Sequence, residues 1–173
     1  MSRINYDLSR IKAFVFDIDG VLSTAIMTTH PNGEPMRTVN VKDGYAMQLA
    51  IKQGYKIAIL SGCRIDSVKR RFSVLGVSYI YLASEIKIND FNDFLERTQL
   101  KCDEILYMGD DIPDYEVMER VGLPCSPADA VPEIKKISRY ISPFQGGKGC
   151  VRDVIEQVMK AQDTWMKGNA FGW

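Results

Sequence analysis

Histidine is all but missing from this 173-residue chain. Its one example, His30, sits in a turn-like stretch and reads as a surface residue rather than a catalytic one. Cysteine is sparse as well. Cys63, Cys102, Cys125 and Cys150 stand far apart with no CxxC pair, which argues against a metal-site spacing or a disulfide scaffold. They read as mostly buried, reduced thiols of a cytoplasmic protein. Net charge is lacking, since 22 basic residues balance 22 acidic ones. Bulk charge therefore gives no reason to expect nucleic acid or an anionic membrane as partner. No apolar run approaches the length of a membrane-spanning helix, and the opening MSRINYDLSR has no signal-peptide character. Repeats and low-complexity segments are absent.

What is present is ordinary globular material, 46% hydrophobic and 25% charged. The length predicts a single domain, 1–173, with a substantial core. Within it one stretch stands out. Phe14-Val15-Phe16-Asp17-Ile18-Asp19-Gly20-Val21 begins as an apolar, β-branched and aromatic run and ends in two carboxylates. The run reads as a central strand of a parallel sheet, within about 11–17. An unpaired carboxylate is costly inside such a strand. Gly20 lets the chain turn away. Ligands of open α/β sheets bind beyond the carboxyl ends of the strands, so Asp17 and Asp19 are expected to point into a site. Phosphoryl transfer with a divalent cation suits such a pair, because hard cations prefer oxygen ligands. The alternative is a DxDG turn whose side chains cap loop amides.

The rest of the chain alternates between strand and helix patterns. Two β-prone runs around Asn32-Gly33 predict a hairpin flap over about 23–41. Asp43 is expected to cap a helix to about Gln53. Strands follow at Tyr55–Leu60, Val77–Leu82, Glu104–Met108, Leu123–Cys125 and Tyr140–Ile141. Helices are predicted over Ile65–Leu75, Glu85–Arg97 (with Ile86, Ile88, Phe91, Phe94 and Leu95 at near-helical spacing), Pro113–Val121, Ala130–Lys136 and Cys150–Gln162. This alternation means an α/β fold with a doubly wound parallel sheet. The aromatic, Gly-rich tail, about 164–173, is expected to be mobile unless docked.

Parallel strands bring all their C-terminal ends to one edge. That edge would collect Asp17 and Asp19, then Ser61 and Gly62, then Lys87, then Asp110, Asp111 and Asp114. Ser61 offers a hydroxyl, with backbone N–H groups near a helix start to favour an anion. Lys87 offers a compact positive charge for phosphate or for Asp17. Asp110 can complete an oxygen set for Mg²⁺ with Asp17 and the carbonyl of Asp19. Asp111 and Asp114 can orient that set or Lys87. Singly, each motif has a plainer reading as a turn, a solvated helix residue or a cap. Together, in this order, coincidence is improbable.

DIDGV, then Ser61-Gly62, then Lys87, then GDDIPD resembles the haloacid dehalogenase superfamily of phosphatases. NGEPMRTVNVKDGYAM, VGLPCSPADAVPEIK and GGKGCVRDV resemble its capless subfamily of 3-deoxy-D-manno-octulosonate 8-phosphate phosphatases. The resemblance spans about residues 11–163. It implies a Rossmann-like core, an aspartyl-phosphate on Asp17, acid and base catalysis by Asp19, and phosphate held by Ser61 and Lys87. It also implies Mg²⁺ at Asp17, Asp19 and Asp110, a role in lipopolysaccharide precursor synthesis, and a homotetramer whose hairpins and tails close neighbouring sites. Relatives often read Thr-Gly-Arg where this chain reads Ser61-Gly62-Cys63-Arg64. They also often carry an Asp-Gly where Thr24-Ala25 stands, and a glycine before the lysine. Arg64 either replaces the missing arginine or is a surface residue. Arg37, Lys42, Arg64 and Lys148 are candidates for the substrate carboxylate. Three other readings stay open here: a nine-carbon sugar-acid phosphate as substrate, a phosphotransferase, and a non-catalytic oligomeric binding module.

Overall fold

The apolar run at Phe14 becomes the innermost strand in the computed structural model, which describes residues 3–168 and 170–172. Met1 and Ser2 of the opening segment, and Asn169 and Trp173 of the tail, lie outside the described residues. In chain order the elements are β1 (Ala13–Phe16), hairpin strands β2 (Thr28–Thr29) and β3 (Pro35–Met36), α1 (Val41–Lys52), β4 (Lys56–Leu60), α2 (Asp66–Val74) and β5 (Tyr79–Tyr81). Then come α3 (Lys87–Thr98), β6 (Ile105–Met108), α4 (Tyr115–Arg120), β7 (Leu123–Ser126), α5 (Pro132–Ile137), β8 (Tyr140–Ile141) and α6 (Cys150–Ala161). Six strands pair in parallel in the order β5-β4-β1-β6-β7-β8.

The two-residue period of the strands sorts their side chains into two cores. Phe14 and Phe16, with Ile57, Ile59 and Leu106, pack against α1, α2 and α6. Ala13 and Val15, with Ala58, Leu60 and Tyr107, pack against α3, α4 and α5. β1 is buried on both faces, which is why its sequence runs apolar without alternation. Phe16 lies level with Ile59 and Met108, so β1, β4 and β6 bring their C-terminal ends to one edge.

Several element boundaries move. The hairpin pairs only Thr28 with Met36 and Thr29 with Pro35, so both expected runs are shorter, and Val41 already belongs to α1. Asn40, not Asp43, caps α1, because its side chain accepts from the Lys42 N–H at 2.9 Å. Asp43 is buried inside the first turn and accepts from the Arg152 N–H of α6 at 2.8 Å. β5 keeps three residues because only Ala58–Leu60 face it as partners. α3 starts at Lys87, which leaves Ile86 exposed at the cap position and outside the apolar face. A short turn, Ile112–Asp114, precedes α4, and Pro132 starts α5. The described part of the tail docks on its own chain. Tyr45 donates to the Ala170 carbonyl, Gln53 Nε2 to that of Lys167 at 3.0 Å, and Lys52 Nζ to that of Gly172 at 2.8 Å. Cys63, Cys125 and Cys150 are buried, Cys102 half-buried, and all four are free thiols. His30 is exposed in the hairpin turn.

Candidate active site

Asp17 continues the β1 ladder by one bond, its N–H donating to the Met108 carbonyl at 3.1 Å. Its Oδ1 accepts from the Ile18 N–H at 2.6 Å and lies 3.0 Å from Lys87 Nζ. Lys87 opens α3 yet is only 6% exposed. Its ammonium bridges Asp17 and Asp114, 2.7 Å from the latter's Oδ1. Asp114, fully buried, also accepts from the Tyr107 hydroxyl at 2.6 Å and from the N–H groups of Asp110 and Asp111 at 3.1 and 3.4 Å. A buried lysine is tolerable only with partners of this kind. Burial works against its charge, but Asp114 and Asp17 outweigh it and hold the ammonium above its ordinary value.

The acids respond in the opposite sense. Burial raises Asp17 well above the usual carboxylate range, the Asp114 charge adds to this, and Lys87 offsets part of it. Burial, then the Asp114 charge, pushes Asp110 up to about 7. Oxygens of Asp17, Asp110 and Asp114 all lie within 4.8 Å of one another. Asp110 Oδ1 is buried with no hydrogen-bond partner. Gly20, at φ 87°, passes over this carboxylate so closely that a Cβ there would come 1.9 Å from Asp110 Oδ2. The Gly146 loop closes over the same turn, where a Cβ would meet the Gly20 carbonyl oxygen at 1.9 Å.

The other expected site residues divide. Ser61 is buried just beyond β4, where its Oγ accepts from the Cys63 N–H at 3.2 Å and its carbonyl from the Ser84 N–H at 3.0 Å. Gly62 is exposed beside it, and α2 begins only at Asp66, so the nearby amides belong to a turn. The Asp19 carboxylate stands apart from the acid cluster and is gripped by Arg37, with Nε at 2.6 Å from Oδ1 and Nη2 at 2.8 Å from Oδ2. Asp111 is exposed and caps the turn below it, accepting from the Ile112 N–H at 2.8 Å. Arg64 is exposed and pairs with Glu85 on the surface. Lys42 and Lys148 line a different cavity, of about 820 Å³, with Arg152 and Glu156.

This arrangement suits transfer of a phosphoryl group: a buried carboxylate beside a fixed ammonium, an adjacent acid pair, and a second carboxylate on a separate tether. Comparison with known proteins agrees. No protein-family model matches the chain. The 3-deoxy-D-manno-octulosonate 8-phosphate phosphatase of Escherichia coli K12 is 35% identical over 152 residues, which is 88% of this chain and 81% of that protein. The chain belongs to the 3-deoxy-D-manno-octulosonate 8-phosphate phosphatase family. The crystal structure of the Yersinia pestis phosphatase of that name has a TM-score of 0.88 at 31% identity, over 91% of this chain and 85% of that one. That of the Moraxella catarrhalis phosphatase, in complex with magnesium ion, phosphate ion and KDO, has a TM-score of 0.87 at 29% identity, over 92% of this chain and 91% of that one.

For a member of this phosphatase family the acid cluster has a clear fit to a divalent cation. The donors are hard oxygens. Asp110 has a buried, unpartnered oxygen, and Asp17 and Asp110 are each held up by burial and then by the charge of Asp114, which a dication relieves. Asp114 belongs to the cluster by distance, but Lys87, Tyr107 and two amide groups already engage its oxygens. Tyr107 and the Arg37–Asp19 pair escape a reading of the sequence. The one signal for Tyr107 is a hydroxyl in an otherwise apolar buried strand, which needs a partner.

Proposed function

We propose that the chain is a Mg²⁺-dependent phosphomonoesterase that hydrolyses 3-deoxy-D-manno-octulosonate 8-phosphate to the free sugar acid and phosphate. The observation that carries this reading is the Lys87 bridge between Asp17 and Asp114, set against the unpartnered oxygen of Asp110. Asp17 is the nucleophile. Its carboxylate forms a bond to phosphorus as the bond to the sugar oxygen breaks, giving an aspartyl-phosphate. Asp19 gives its proton to the leaving alkoxide, then takes one from the water that attacks phosphorus and frees Asp17. Lys87 and the Ser61 hydroxyl, with the Gly62 amide, receive the phosphate oxygens. Asp17, Asp110 and the carbonyl of Asp19 would hold Mg²⁺, which when bound would supply charge neutralisation at the transferring group.

The assembly follows the same reading. Ile26 is 87% exposed on the hairpin, with Met27, Met36 and Val39 also open to solvent. Apolar exposure of this kind supports a homotetramer in which neighbours cover the hairpins and help to close the sites. Among the described residues no helix is long and apolar enough to cross a membrane. A cytoplasmic enzyme supplying a lipopolysaccharide precursor fits the substrate.

Phosphate release tests the proposal, with Mg²⁺ or a chelator, on the eight-carbon sugar-acid phosphate, a nine-carbon analogue and hexose phosphates. Metal-dependent release with preference for the eight-carbon acid is expected. Preference for the nine-carbon acid would move the substrate, and no release from any ester would overturn the enzymatic reading.

A further inference from the structure

Two described residues of the flap reach the catalytic edge: Ser23 at its start, whose hydroxyl donates to Asp19 Oδ1 at 3.3 Å, and Arg37 beyond β3, the only cation of the two. The Arg37 side chain is 9% exposed although it is carried on a flap whose other residues are largely open. A guanidinium has five N–H donors arranged on a rigid plane. The Nε and Nη2 donors clamp Asp19 side-on. Nη1 is buried and has no hydrogen-bond partner. A buried donor without a partner is costly, so this nitrogen is expected to find an acceptor when substrate binds. The hydrogen bonds to Asp19 keep the guanidinium charged against its burial, and Cys63 and Asp17 are near enough to add to that.

The direction of the reaction fixes what this bare edge meets. A phosphoester attacked by Asp17 sends its leaving oxygen toward the acid that protonates it, Asp19. The organic part of the substrate therefore passes Asp19, and Arg37 is the cation bound there. Of the other basic candidates, Arg64 turns to Glu85 and Lys42 and Lys148 to the cavity beside α6, while Arg71 of α2 lines the cavity next to Arg37 without pairing with Asp19. Next to Arg37 an open cavity of about 520 Å³, lined in part by Ile18, Ser23 and Met36, leaves room for a carbon skeleton.

We infer that Arg37 is the specificity-determining residue of this site: it holds Asp19 with one edge of its guanidinium and takes the carboxylate of the substrate with the edge that carries Nη1. One planar group then ties recognition of a sugar acid to the position of the acid that serves its leaving oxygen. The inference rests on the sugar-acid phosphate reading above. It explains why an exposed flap carries a buried arginine, and why the clamp leaves a donor bare.

The test compares kcat/KM of the wild type, Arg37→Ala and Arg37→Lys, with Mg²⁺ present, on 3-deoxy-D-manno-octulosonate 8-phosphate and on p-nitrophenyl phosphate, which has no carboxylate. Charge-assisted hydrogen bonds of this kind correspond to about 10- to 100-fold in rate. The preference for the acid over the carboxylate-free ester is expected to fall by about that factor in Arg37→Ala. Arg37→Lys, which keeps the charge without the fork, is expected to recover only part of it. Equal losses on both esters would overturn the inference, since Arg37 would then act through Asp19 alone. No loss on either would overturn it too. A wild type with no preference for the acid would remove the substrate reading and the inference together, and is told apart because it is seen before any variant is made.

Discussion

The Tyr107 hydroxyl and Asp114 Oδ1 are 2.6 Å apart in the interior of the sheet, and through that oxygen Tyr107 stands one step behind Lys87. Tyr107 donates, so Asp114 is held as an acceptor for the ammonium as well. Tyr107→Phe removes that donor and leaves the ring. We expect turnover to fall by about 3- to 10-fold and stability by about 1.5–3 kcal/mol, the scale of one hydrogen bond to a charged group. Steady-state kinetics beside urea unfolding checks both, and unchanged values in both would show that Asp114 needs no such support.

Lys87 is the one cation shared by Asp17 and Asp114 in this buried cluster. Lys87→Ala leaves both carboxylates buried without their counter-charge. Removing one partner of a buried ion pair costs about 3–5 kcal/mol. The variant is expected to unfold at clearly lower urea concentration and to lose phosphatase activity. A midpoint equal to that of the wild type would contradict the burial and pairing described for these groups.

Gly20 allows the chain to cross Asp110 where a Cβ would strike the carboxylate. It also takes a positive φ that other residues adopt only at some cost. Gly20→Ala is expected to displace Asp110 and weaken Mg²⁺ binding, so that activity saturates at higher Mg²⁺. A metal titration of activity measures this directly, and an unshifted curve would place the cation away from Asp110.

Asp43 gives a pH dependence with a definite sign. Burial pushes it up to about 6 from an ordinary value of 3.8, and the Arg152 and Gly149 N–H groups only partly offset that. Between those values the native state binds more protons than the unfolded chain. Stability from this group therefore falls as pH rises from about 4 to about 6 and then levels, by about 3 kcal/mol in all. Asp43→Asn keeps an acceptor for the Arg152 N–H and cannot ionise. Urea unfolding at pH 4 and pH 8 should show the variant gaining on the wild type with rising pH. A constant difference would mean that Asp43 keeps an ordinary pKa.

The frame of the fold was legible because β1, β4 and β6 are buried on both faces, and such strands write themselves as unbroken apolar runs. Asp17 and Asp110 stood out as candidates for the same reason, since charges just past buried strands break the apolar run, whereas Lys87 stood out by its place at the start of the helix that follows β5. Short edge elements were not. β5 and the hairpin strands owe their lengths to their partners rather than to their own residues. Asn40 and Asp43 both suit a helix start, and only the packing of α6 against Asp43 decides between them. The pairing of Arg37 with Asp19 joins positions in different elements, and no local pattern encodes it.

The central claim is that Asp17 takes the phosphoryl group. Borohydride reduction of the enzyme during turnover, followed by mass spectrometry of its peptides, tests this most directly, because an aspartyl-phosphate is reduced to homoserine. We expect homoserine at position 17, only when sugar-acid phosphate and Mg²⁺ are both present, and none in Asp17→Asn. Undiminished turnover of Asp17→Asn, or reduction at another carboxylate, would contradict the account.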